Sequence, residues 1–458
     1  MAVEEPSVGF RFSTPYEIAA VRPLRQTTPA ERAAALAAAR YNTELLPQEL
    51  IYVDLSTDSG VSALNTAQLA ALAAAPVAEP GMGLAPEASR AYRDLASEFQ
   101  RIFGFPYVVP VTQGRAAERI WIRLHVKPGS VVAGNMLFPS TRTHIEMSGG
   151  KVADVIVDAA HDLGSEEPFK GNLDIDKLRA LFSEGRDKVS CIYVEVAVNA
   201  CGGHPVSVEN LRAVRAVATA NGVPLFLDAC RLLENSYLVK QREPGYSHRP
   251  VREIVAEICG LADGLTMSAL KDLAAPAGGF IATRDPASYQ KAWMQAFLDG
   301  AQLGSSAMEV VAAGLRELFA TDAYVAGRVE QVQYLWRRLG GGVPLVRPPS
   351  GHAVYIDVRS FLPHVAPENH PAEALAAFIY GVSGVRLCKG PPPAPSQSAR
   401  GTELLRLAVP ARKYLRGHLD DVAEAVFYAY SRRAEIKGLK RVEEPGRSKH
   451  QPAYFTPL

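Results

Sequence analysis

Cysteine is scarce in this sequence and is widely scattered. The 458 residues include five cysteines, which are Cys191, Cys201, Cys230, Cys259 and Cys388. An odd number without any Cys-x-x-Cys spacing argues against a disulfide framework and against a structural zinc site. The pattern is typical of small apolar residues in a reducing compartment.

Net charge and long apolar runs are also lacking. The 49 Lys and Arg residues almost balance the 48 Asp and Glu residues, which leaves +1. Such a balance gives no electrostatic footprint for nucleic acid or for a membrane surface. No apolar run reaches the roughly 18 residues of a membrane helix, and the acidic start MAVEEPSVGF does not resemble a signal peptide. We therefore expect a cytoplasmic protein that binds neither nucleic acid nor membranes.

What is present is an alternation of strand and helix patterns in the middle of the chain. The β-branched run VSCIYVEVAV (189–198) precedes a helical pattern (207–222) that ends at a glycine. The buried run VPLFLDA (223–229) follows it. This β-α-β order predicts an α/β fold with a mostly parallel sheet and helices on both faces.

The length and the last third of the chain indicate two domains. At 458 residues the chain exceeds the usual size of a single core. From about residue 307 two helical patterns are followed by short strands such as HAVYIDV and by a final helix. The predicted division is an N-terminal segment that packs with the small domain (1–55), a large domain (56–315) and a small α+β domain (316–458).

Polar residues cluster where the predicted strands end. Asp228 follows the apolar run VPLFL, and Arg231 lies three residues later. Asn199 is placed at the end of the preceding strand, and Lys271 follows the segment ADGLTMS. Because ligands bind beyond the carboxyl ends of strands in open α/β sheets, we expect these side chains to share one crevice.

This set of side chains is the one that pyridoxal 5'-phosphate (PLP) requires. Lys271 would form an imine with the cofactor aldehyde, which removes the cost of burying its charge. Asp228 would keep the pyridine nitrogen protonated, so that the ring accepts electrons. Arg231 and Asn199 would lie near the ring hydroxyl and tune its ionisation. Taken singly, each residue has an ordinary alternative: the aspartate as a helix cap or turn former, the lysine as a solvated surface residue.

The cofactor phosphate needs backbone donors at a helix start and a hydroxyl or a cation. The stretch VVPVTQGRAAERIW offers an apolar strand, the turn Gln113-Gly114-Arg115 and then a helix. Ser268 would add a hydroxyl. Phe138 in NMLFPSTRTH would cover the ring face, and its spacing is equally typical of a core residue.

With these residues assembled, the sequence resembles the tyrosine phenol-lyase and tryptophanase family of PLP-dependent β-eliminating lyases. The resemblance covers nearly the whole chain. Its motifs include IYVDLSTDSGVSALN, FGFPYVVPVTQGRAAE, FPSTRTH, VNACGGHPVS, DACRLLENSYLVKQRE, AMEVVAAGLRE, GHAVYIDVR and LLRLAVPARKY. It implies an aspartate-aminotransferase-like (fold type I) enzyme, with a large domain built on a mostly parallel central sheet and a smaller α+β domain.

The resemblance also implies roles for individual residues. Lys271 is the imine lysine and Asp228 is the partner of the pyridine nitrogen. Arg406 binds the substrate α-carboxylate, helped by Thr57 and Asn199, because a guanidinium fork matches a carboxylate in two hydrogen bonds. The remaining cofactor-binding residues implied by the family pattern are Gln113, Gly114, Arg115, Phe138, Asn199, Arg231 and Ser268.

Four departures from the family pattern concern the leaving-group side. Leu270 replaces a lysine before the imine lysine. Pro139 stands where relatives place a polar residue near the substrate side chain. The stretch AEPGMGLAPEAS has no clear match to the family's catalytic tyrosine, and VRLCKGPPP replaces its phenol-recognising segment, with Arg386 and Lys389 as the only cations. The cofactor half is therefore expected to be intact and the leaving-group half to be rebuilt.

The resemblance implies a lyase that acts on an L-amino acid by Cα deprotonation through a quinonoid, followed by β-elimination. Lys271 would be the base, with a pKa lowered by desolvation and by neighbouring cations. Tyr454 or His144 would be the candidate acids for the leaving group. Alternatives are another PLP outcome, namely transamination, β-replacement or a biosynthetic step on an unusual amino acid, and a non-catalytic relative. The retained Lys271, Asp228 and Arg406 argue against the last.

Assembly and ions are likewise implied by the family. A homodimer or homotetramer is expected, because cofactor sites of this fold class lie at a dimer interface. A monovalent cation such as K⁺ accompanies the family's tetramers. Gly60 matches one backbone ligand of that cation site.

Overall fold

The computed structural model describes residues 17, 22–74, 83, 85–185, 188–390, 402–443 and 452–458. The strands in these residues follow one another along the chain as β1 (Val53–Asp54), β2 (Tyr107–Val111), β3 (Val131–Gly134), β4 (Lys151–Asp154), β5 (Val189–Glu195), β6 (Ala197–Val198), β7 (His204–Pro205), β8 (Leu225–Asp228), β9 (Gly264–Ser268), β10 (Gly279–Thr283), β11 (Ala353–Asp357), β12 (Val385–Arg386), β13 (Cys388–Lys389), β14 (Leu404–Ala408), β15 (Leu439–Val442) and β16 (Tyr454–Pro457).

Helices alternate with these strands and cover the central sheet. They are α1 (Pro29–Ala38), α2 (Thr66–Ala73), α3 (Arg90–Phe103), α4 (Gly114–His125), α5 (Pro139–Met147), α6 (Ile175–Gly185), α7 (Val208–Asn221), α8 (Leu232–Arg242), α9 (Val251–Gly260), α10 (Pro286–Leu298), α11 (Ser305–Leu318), α12 (Ala323–Leu339), α13 (Val358–Phe361), α14 (Pro371–Ser383) and α15 (Arg416–Ser431). None of these described helices has both the length and the hydropathy needed to cross a bilayer.

The central sheet has seven strands in the order β2-β10-β9-β8-β5-β3-β4. Strand β10 runs antiparallel to both of its neighbours, and the other pairs are parallel. Every residue of β8, β9 and β10 is buried. Strands covered on both faces are continuous apolar runs. The predicted α/β fold with a mostly parallel sheet is confirmed.

The helix predicted over 207–222 is confirmed as α7, and its ends have clear physical causes. The hydroxyl of Ser207 accepts a hydrogen bond from the Asn210 N–H at the helix start. Gly222 ends the helix in the left-handed conformation, with φ of 63°. The strand predicted over 189–198 is divided. Its long part ends at Glu195, so the expectation that Asn199 ends that strand was wrong.

A second, antiparallel sheet of order β11-β14-β13 lies in the C-terminal third. Strand β1 pairs in parallel with β12, and α1 packs on α14. The Arg32 side chain of α1 donates to the carbonyl oxygens of Gly381 and Val382. The segment before residue 55 thus contacts the C-terminal third directly.

Buried hydrophobic side chains form two large clusters. One is built from residues between 91 and 329 with Ala411, and the other from residues 53 and 55 with residues between 332 and 455. Helix α12 contributes Val329 to the first cluster and Val332 to the second. We propose the division into segments 1–55, 56–315 and 316–458 on this basis, with α12 connecting the two cores.

Candidate active site

One cavity of about 210 Å³ lies beyond the carboxyl ends of the parallel strands. Ten of the eleven residues that the sequence predicts for the site line it: Thr57, Gln113, Gly114, Arg115, Phe138, Asn199, Arg231, Ser268, Lys271 and Arg406. The eleventh, Asp228, lies directly beneath, because the N–H of the cavity-lining Cys230 donates to its Oδ1 at 3.1 Å. The fold therefore brings together residues that are up to 349 positions apart.

The phosphate-binding turn predicted at residues 113–115 forms the start of α4. Gln113 is the residue before the helix, and its side chain does not cap the free N–H groups. A Cβ on Gly114 would lie 2.7 Å from Cβ of Ser268, so only glycine allows this approach of the helix start to β9. The unpaired N–H groups and the positive end of the helix dipole suit a phosphate dianion.

Lys271 lies in the turn that follows β9, and its Nζ is 5.2 Å from the centroid of the Phe138 ring. Burial lowers the pKa of this amine and the nearby cation Arg231 lowers it further, but the neighbouring Cys230, Asp228 and Glu118 side chains outweigh both effects, and the pKa is raised overall. The expectation of a lowered pKa was therefore wrong for the protein alone.

Arg231 is held by a buried ion pair that the sequence reasoning missed. Its two terminal nitrogens donate to both oxygens of Asp58 at 2.7 and 2.9 Å, and Arg328 donates to the same carboxylate at 2.6 Å. Despite the opposing effect of burial, these two guanidinium groups hold the pKa of Asp58 well below its usual range. The Nε atom of Arg231 has no hydrogen-bond partner among the described residues. This atom is the remaining donor for a ligand.

Two further buried carboxyl groups were also missed. Glu118 lies one turn into α4 and accepts a hydrogen bond from the Ser140 hydroxyl at 2.7 Å. Burial and the negative charge of Asp228 raise the pKa of Glu118 to about 7 and that of Glu195 to about 8. For Glu195 the sequence did offer a signal, because it is a single carboxyl residue in the otherwise apolar run YVEV.

Asn199 is fixed at both ends of its carboxamide. Its Nδ2 donates to Oε1 of Glu195 at 2.9 Å, and its Oδ1 accepts from the Tyr355 hydroxyl at 3.1 Å. Behind Tyr355, Nδ1 of the buried His352 is 2.8 Å from Oε1 of Glu234. Burial and the charge of Arg231 lower the pKa of His352 to about 4, so the imidazole is neutral.

Arg406 on β14 reaches the cavity from the second sheet. Its Nη2 donates to the carbonyl oxygen of Ser56 at 3.2 Å, and its Nε has no hydrogen-bond partner among the described residues. Thr57 lines the same side of the cavity, and its hydroxyl accepts from the N–H of Ser59. An arginine with an unused donor beside a cavity suits a carboxylate ligand.

The cations of the 385–390 segment are not directed at the cavity. Arg386 binds Asp54 through Nε at 3.1 Å and Nη2 at 2.5 Å. Lys389 binds Glu373 at 2.9 Å and Glu403 at 3.6 Å. Leu270 does line the cavity, and its side chain lies against Gly60, where a Cβ would be 3.0 Å from Cδ2.

The two predicted candidates for the leaving-group acid lie outside the cavity lining. Tyr454 is on β16 under the guanidinium of Arg40, which is 4.5 Å from the ring centroid. His144 is in the last turn of α5. Half of the predicted AEPGMGLAPEAS stretch, residues 78–82 and 84, lies outside the described residues. No tyrosine or histidine lines the cavity in the part of the chain that the structure describes.

The residues present fit PLP. An uncapped helix start approaches Ser268 where a phosphate would bind, and a lysine lies opposite a phenylalanine ring. A buried aspartate lies beneath, and Arg231 retains an unsatisfied Nε atom. Each feature matches one chemical group of the cofactor: the phosphate, the aldehyde with its ring, the pyridine nitrogen and the ring hydroxyl.

Comparisons of the sequence identify its relatives. The family model for β-eliminating lyases matches residues 54–425. Tyrosine phenol-lyase of Symbiobacterium sp. strain SC-1 is 42% identical over 461 residues, which cover 98% of this chain and 99% of that protein. Tryptophanase of Salinibacter ruber is 38% identical over 455 residues, covering 97% and 95%.

Solved structures establish the fold class. Serine palmitoyltransferase of S. paucimobilis superposes with a TM-score of 0.63 at 16% identity, covering 89% of this chain and 97% of that one. Threonine aldolase of Leishmania major has a TM-score of 0.60 at 16% identity, covering 82% and 99%. Both are fold type I PLP enzymes, so the predicted fold class is confirmed. By sequence, the chain belongs to the β-eliminating lyase family and is a PLP-dependent β-lyase.

Proposed function

We propose that this β-lyase acts on an L-amino acid whose leaving group at Cβ is better or smaller than phenol or indole. The observation that carries the proposal is the composition of the cavity. Lys271, Arg231 and Arg406 meet in it, while its described lining includes neither a tyrosine nor a histidine. A cavity of this kind supports removal of the α-proton, and its described lining offers neither a phenol nor an imidazole as the acid for a poor leaving group.

The first part of the proposal assigns the residues that hold the cofactor. The start of α4 with Arg115 and Ser268 would bind the phosphate, and Phe138 would lie on the ring face. Asp228 would accept a hydrogen bond from the protonated pyridine nitrogen, and Arg231 Nε would donate to the ring hydroxyl. When bound, PLP supplies an electron sink for the pair left at Cα.

The second part concerns the substrate. The guanidinium of Arg406 would bind the α-carboxylate through its unused Nε donor, with Thr57 and Asn199 beside it. This contact orients the Cα–H bond toward Lys271. The Nζ of Lys271 would then take the α-proton, which requires the uncharged amine. Proximity of this base to Cα contributes to the rate because no second encounter is needed.

The third part concerns the leaving group. Protonation of a phenol or indole carbon requires a positioned acid. In the described lining the groups that carry an exchangeable proton beside Lys271 are hydroxyls, the Cys230 thiol and the Glu118 carboxyl. Leu270 adds one apolar side chain to this lining. A thiolate or another group that leaves without a strong acid suits a described lining that holds no tyrosine or histidine.

The test is pyruvate release from the PLP-loaded protein across a panel of L-amino acids that includes tyrosine, tryptophan, serine and S-substituted cysteines. We expect release with the S-substituted cysteines to exceed release with tyrosine. Preferred release from tyrosine or tryptophan would contradict the proposed pocket. The Lys271→Ala variant provides the control, since it should lack the imine absorbance of the wild type.

A second candidate is another PLP outcome, namely transamination, β-replacement or a biosynthetic step on an unusual amino acid. The specific observation in its favour is that Arg386 and Lys389 are both engaged by carboxylates away from the cavity. If no amino acid of the panel yields pyruvate while the cofactor spectrum still shifts on binding, this second candidate replaces the first.

Assembly, ion and location complete the proposal. We infer a homodimer or homotetramer in the cytoplasm and a K⁺ ion near Gly60, whose N–H donates to the Leu270 carbonyl at 2.8 Å. Analytical ultracentrifugation tests the assembly. Activity in K⁺ compared with Na⁺ at equal ionic strength tests the ion, and equal activities would remove it from the proposal.

A further inference from the structure

Glu195 ends strand β5 directly beside Asp228, which ends β8. The two residues are partners in the parallel register, so their side chains leave the sheet on the same face. Both residues are 4% exposed. Two carboxyl groups therefore lie side by side at the floor of the cavity, where water is largely excluded.

The backbone of Glu195 is fixed by a neighbouring amide. The N–H of Glu195 donates to Oδ1 of Asn135 at 2.9 Å, and Nδ2 of Asn135 donates back to the Glu195 carbonyl at 2.9 Å. Asn135 is itself fully buried. This reciprocal pair holds the strand end in place and limits the positions that the carboxyl group can adopt.

The two carboxyl oxygens of Glu195 have different surroundings. Oε1 accepts from the backbone N–H of Asn199 at 3.0 Å and from its Nδ2 at 2.9 Å. Oε2 is buried and has no hydrogen-bond partner among the described residues. An ionised carboxylate would leave that oxygen without any donor, which is costly in a buried site. A protonated Oε2 carries no such charge.

Burial and the nearest negative charge also favour the protonated form of Glu195. Together burial and Asp228 raise the pKa of Glu195 to about 8, although the hydrogen bonds from Asn199 and the charge of Lys271 lower it. The thiol of Cys201, on the turn that follows β6, is the other titratable group that interacts with Glu195, and its pKa is raised by burial. Glu118 on α4 interacts with the same Asp228.

We propose that Glu195 is a positioning residue of the cofactor site, whose carboxyl group is held neutral beside the Asp228 strand end while its Oε1 atom fixes the amide of Asn199. With Glu195 neutral, the two carboxyl groups serve two functions that a single carboxylate could not serve at once. Asp228 keeps its charge for the cofactor ring nitrogen, and Glu195 orients Asn199 without adding a second negative charge. This inference rests on the proposed assignment of Asp228 to the ring nitrogen.

The test compares Glu195→Gln with Glu195→Ala in the PLP-loaded protein. Glutamine retains an acceptor for Asn199 and removes the titrating proton, whereas alanine removes both. The matched control is Glu403→Gln, because Glu403 is a carboxyl whose burial also raises its pKa but which faces Lys389 outside the cavity. Circular dichroism verifies that each variant is folded.

The first readout is cofactor absorbance between pH 6 and 10. We expect a wild-type transition near pH 8 that is lost in Glu195→Gln and retained in Glu403→Gln. The second readout is the rate of PLP release into a phosphate buffer. Glu195→Ala should release PLP about tenfold faster than the wild type, a change that Glu195→Gln should not show because Asn199 remains held.

Each outcome decides a separate point. A transition that persists in Glu195→Gln would overturn the neutral carboxyl group of Glu195, and equal release rates for Glu195→Ala and Glu195→Gln would overturn the positioning role. A wild type that binds no PLP would instead refute the proposed function, and this inference with it. Loss of the transition with slow release in Glu195→Gln supports the proposal.

Discussion

The cofactor end of the cavity and the 385–390 segment both contain positively charged side chains, but these side chains differ in whether their donors all have partners. At the cofactor end, Arg231 and Arg406 each keep an Nε donor with no partner among the described residues. In the 385–390 segment, Arg386 and Lys389 are saturated by Asp54, Glu373 and Glu403. Beside a cavity, an unused donor of a buried arginine is available to a ligand, and a ligand there would remove the cost of an unpaired buried polar atom.

This difference teaches how a family pocket is changed while its cofactor site is kept. A cation whose donors are directed at carboxylates outside the cavity stabilises the fold and offers no donor to a ligand in the cavity. Arg386 connects β12 to Asp54 of the paired strand β1, so it contributes to the contact between the N-terminal segment and the C-terminal third. The sharpest tests therefore change one charged residue at the cavity and its counterpart outside it.

The largest effect is expected for the two lysines. Lys271→Ala should abolish the absorbance of the lysine imine and lower the rate of turnover by about 10³-fold or more, because the proposed base is lost. Lys389→Ala removes a half-exposed ion pair and should change the free energy of unfolding by less than about 1 kcal/mol, with turnover unchanged. Absorbance spectra and steady-state rates decide the comparison. Similar losses of absorbance and turnover in both variants would contradict the proposed difference between the cavity and the 385–390 segment.

The next effect concerns the carboxylate that holds Arg231. Asp58→Asn leaves two buried guanidinium groups without their anion, and we expect the free energy of unfolding to fall by about 3–5 kcal/mol. Because the pKa of Asp58 is depressed in the folded state, its contribution is present above about pH 4 and is lost as the pH falls through the lower folded value.

Urea unfolding at pH 7 and pH 3 measures the Asp58 effect. The matched control is Asp158→Asn, which removes an exposed carboxylate beside Lys177 and should cost less than about 1 kcal/mol. A change of similar size in both variants would mean that the buried ion pair does not support the cofactor end.

A smaller effect is expected for the two arginines. Arg406→Ala should raise KM for the preferred amino acid about 10- to 100-fold, because a charge-assisted contact to the α-carboxylate is lost. Arg386→Ala should leave KM unchanged and lower the free energy of unfolding by about 2–4 kcal/mol, since Asp54 remains buried without its partner. Steady-state kinetics and urea unfolding of both variants make this test. A raised KM in Arg386→Ala would place that residue at the substrate.

The smallest effect concerns pH. The raised pKa of Glu118 means that the folded state binds more protons than the unfolded state between about pH 4.5 and 7. Stability should therefore fall as the pH rises through that window, and Glu118→Gln should remove about 1–2 kcal/mol of this fall. Urea unfolding at pH 5 and pH 7.5 measures it, with the exposed Glu424→Gln as control. Equal pH dependence in wild type and Glu118→Gln would contradict the buried, proton-binding carboxyl.

Much of this molecule was predictable because its signals are local. The β-α-β alternation follows from apolar runs and a glycine stop, and Gly222 ends α7 where expected. The turn at residues 113–115 starts a helix as predicted. Asp228 ends its strand as predicted because an apolar run leads into it. The boundary at Glu195 was missed because apolar and β-branched residues continue on both sides of it up to Val198, while the chain leaves β5 after Glu195 and forms β6.

The sequence by itself determined the family, the fold class and the identity of the residues that reach the cavity, because ordered motifs and strand ends are local properties. Only the tertiary structure decided how those residues are used. Asp58 meets Arg231 and Arg328 over separations of 173 and 270 residues, and Arg386 meets Asp54 across 332. Pairing, burial and the resulting pKa shifts depend on such distant contacts. No local pattern encodes which carboxylate a cation binds or which donor stays free for a ligand.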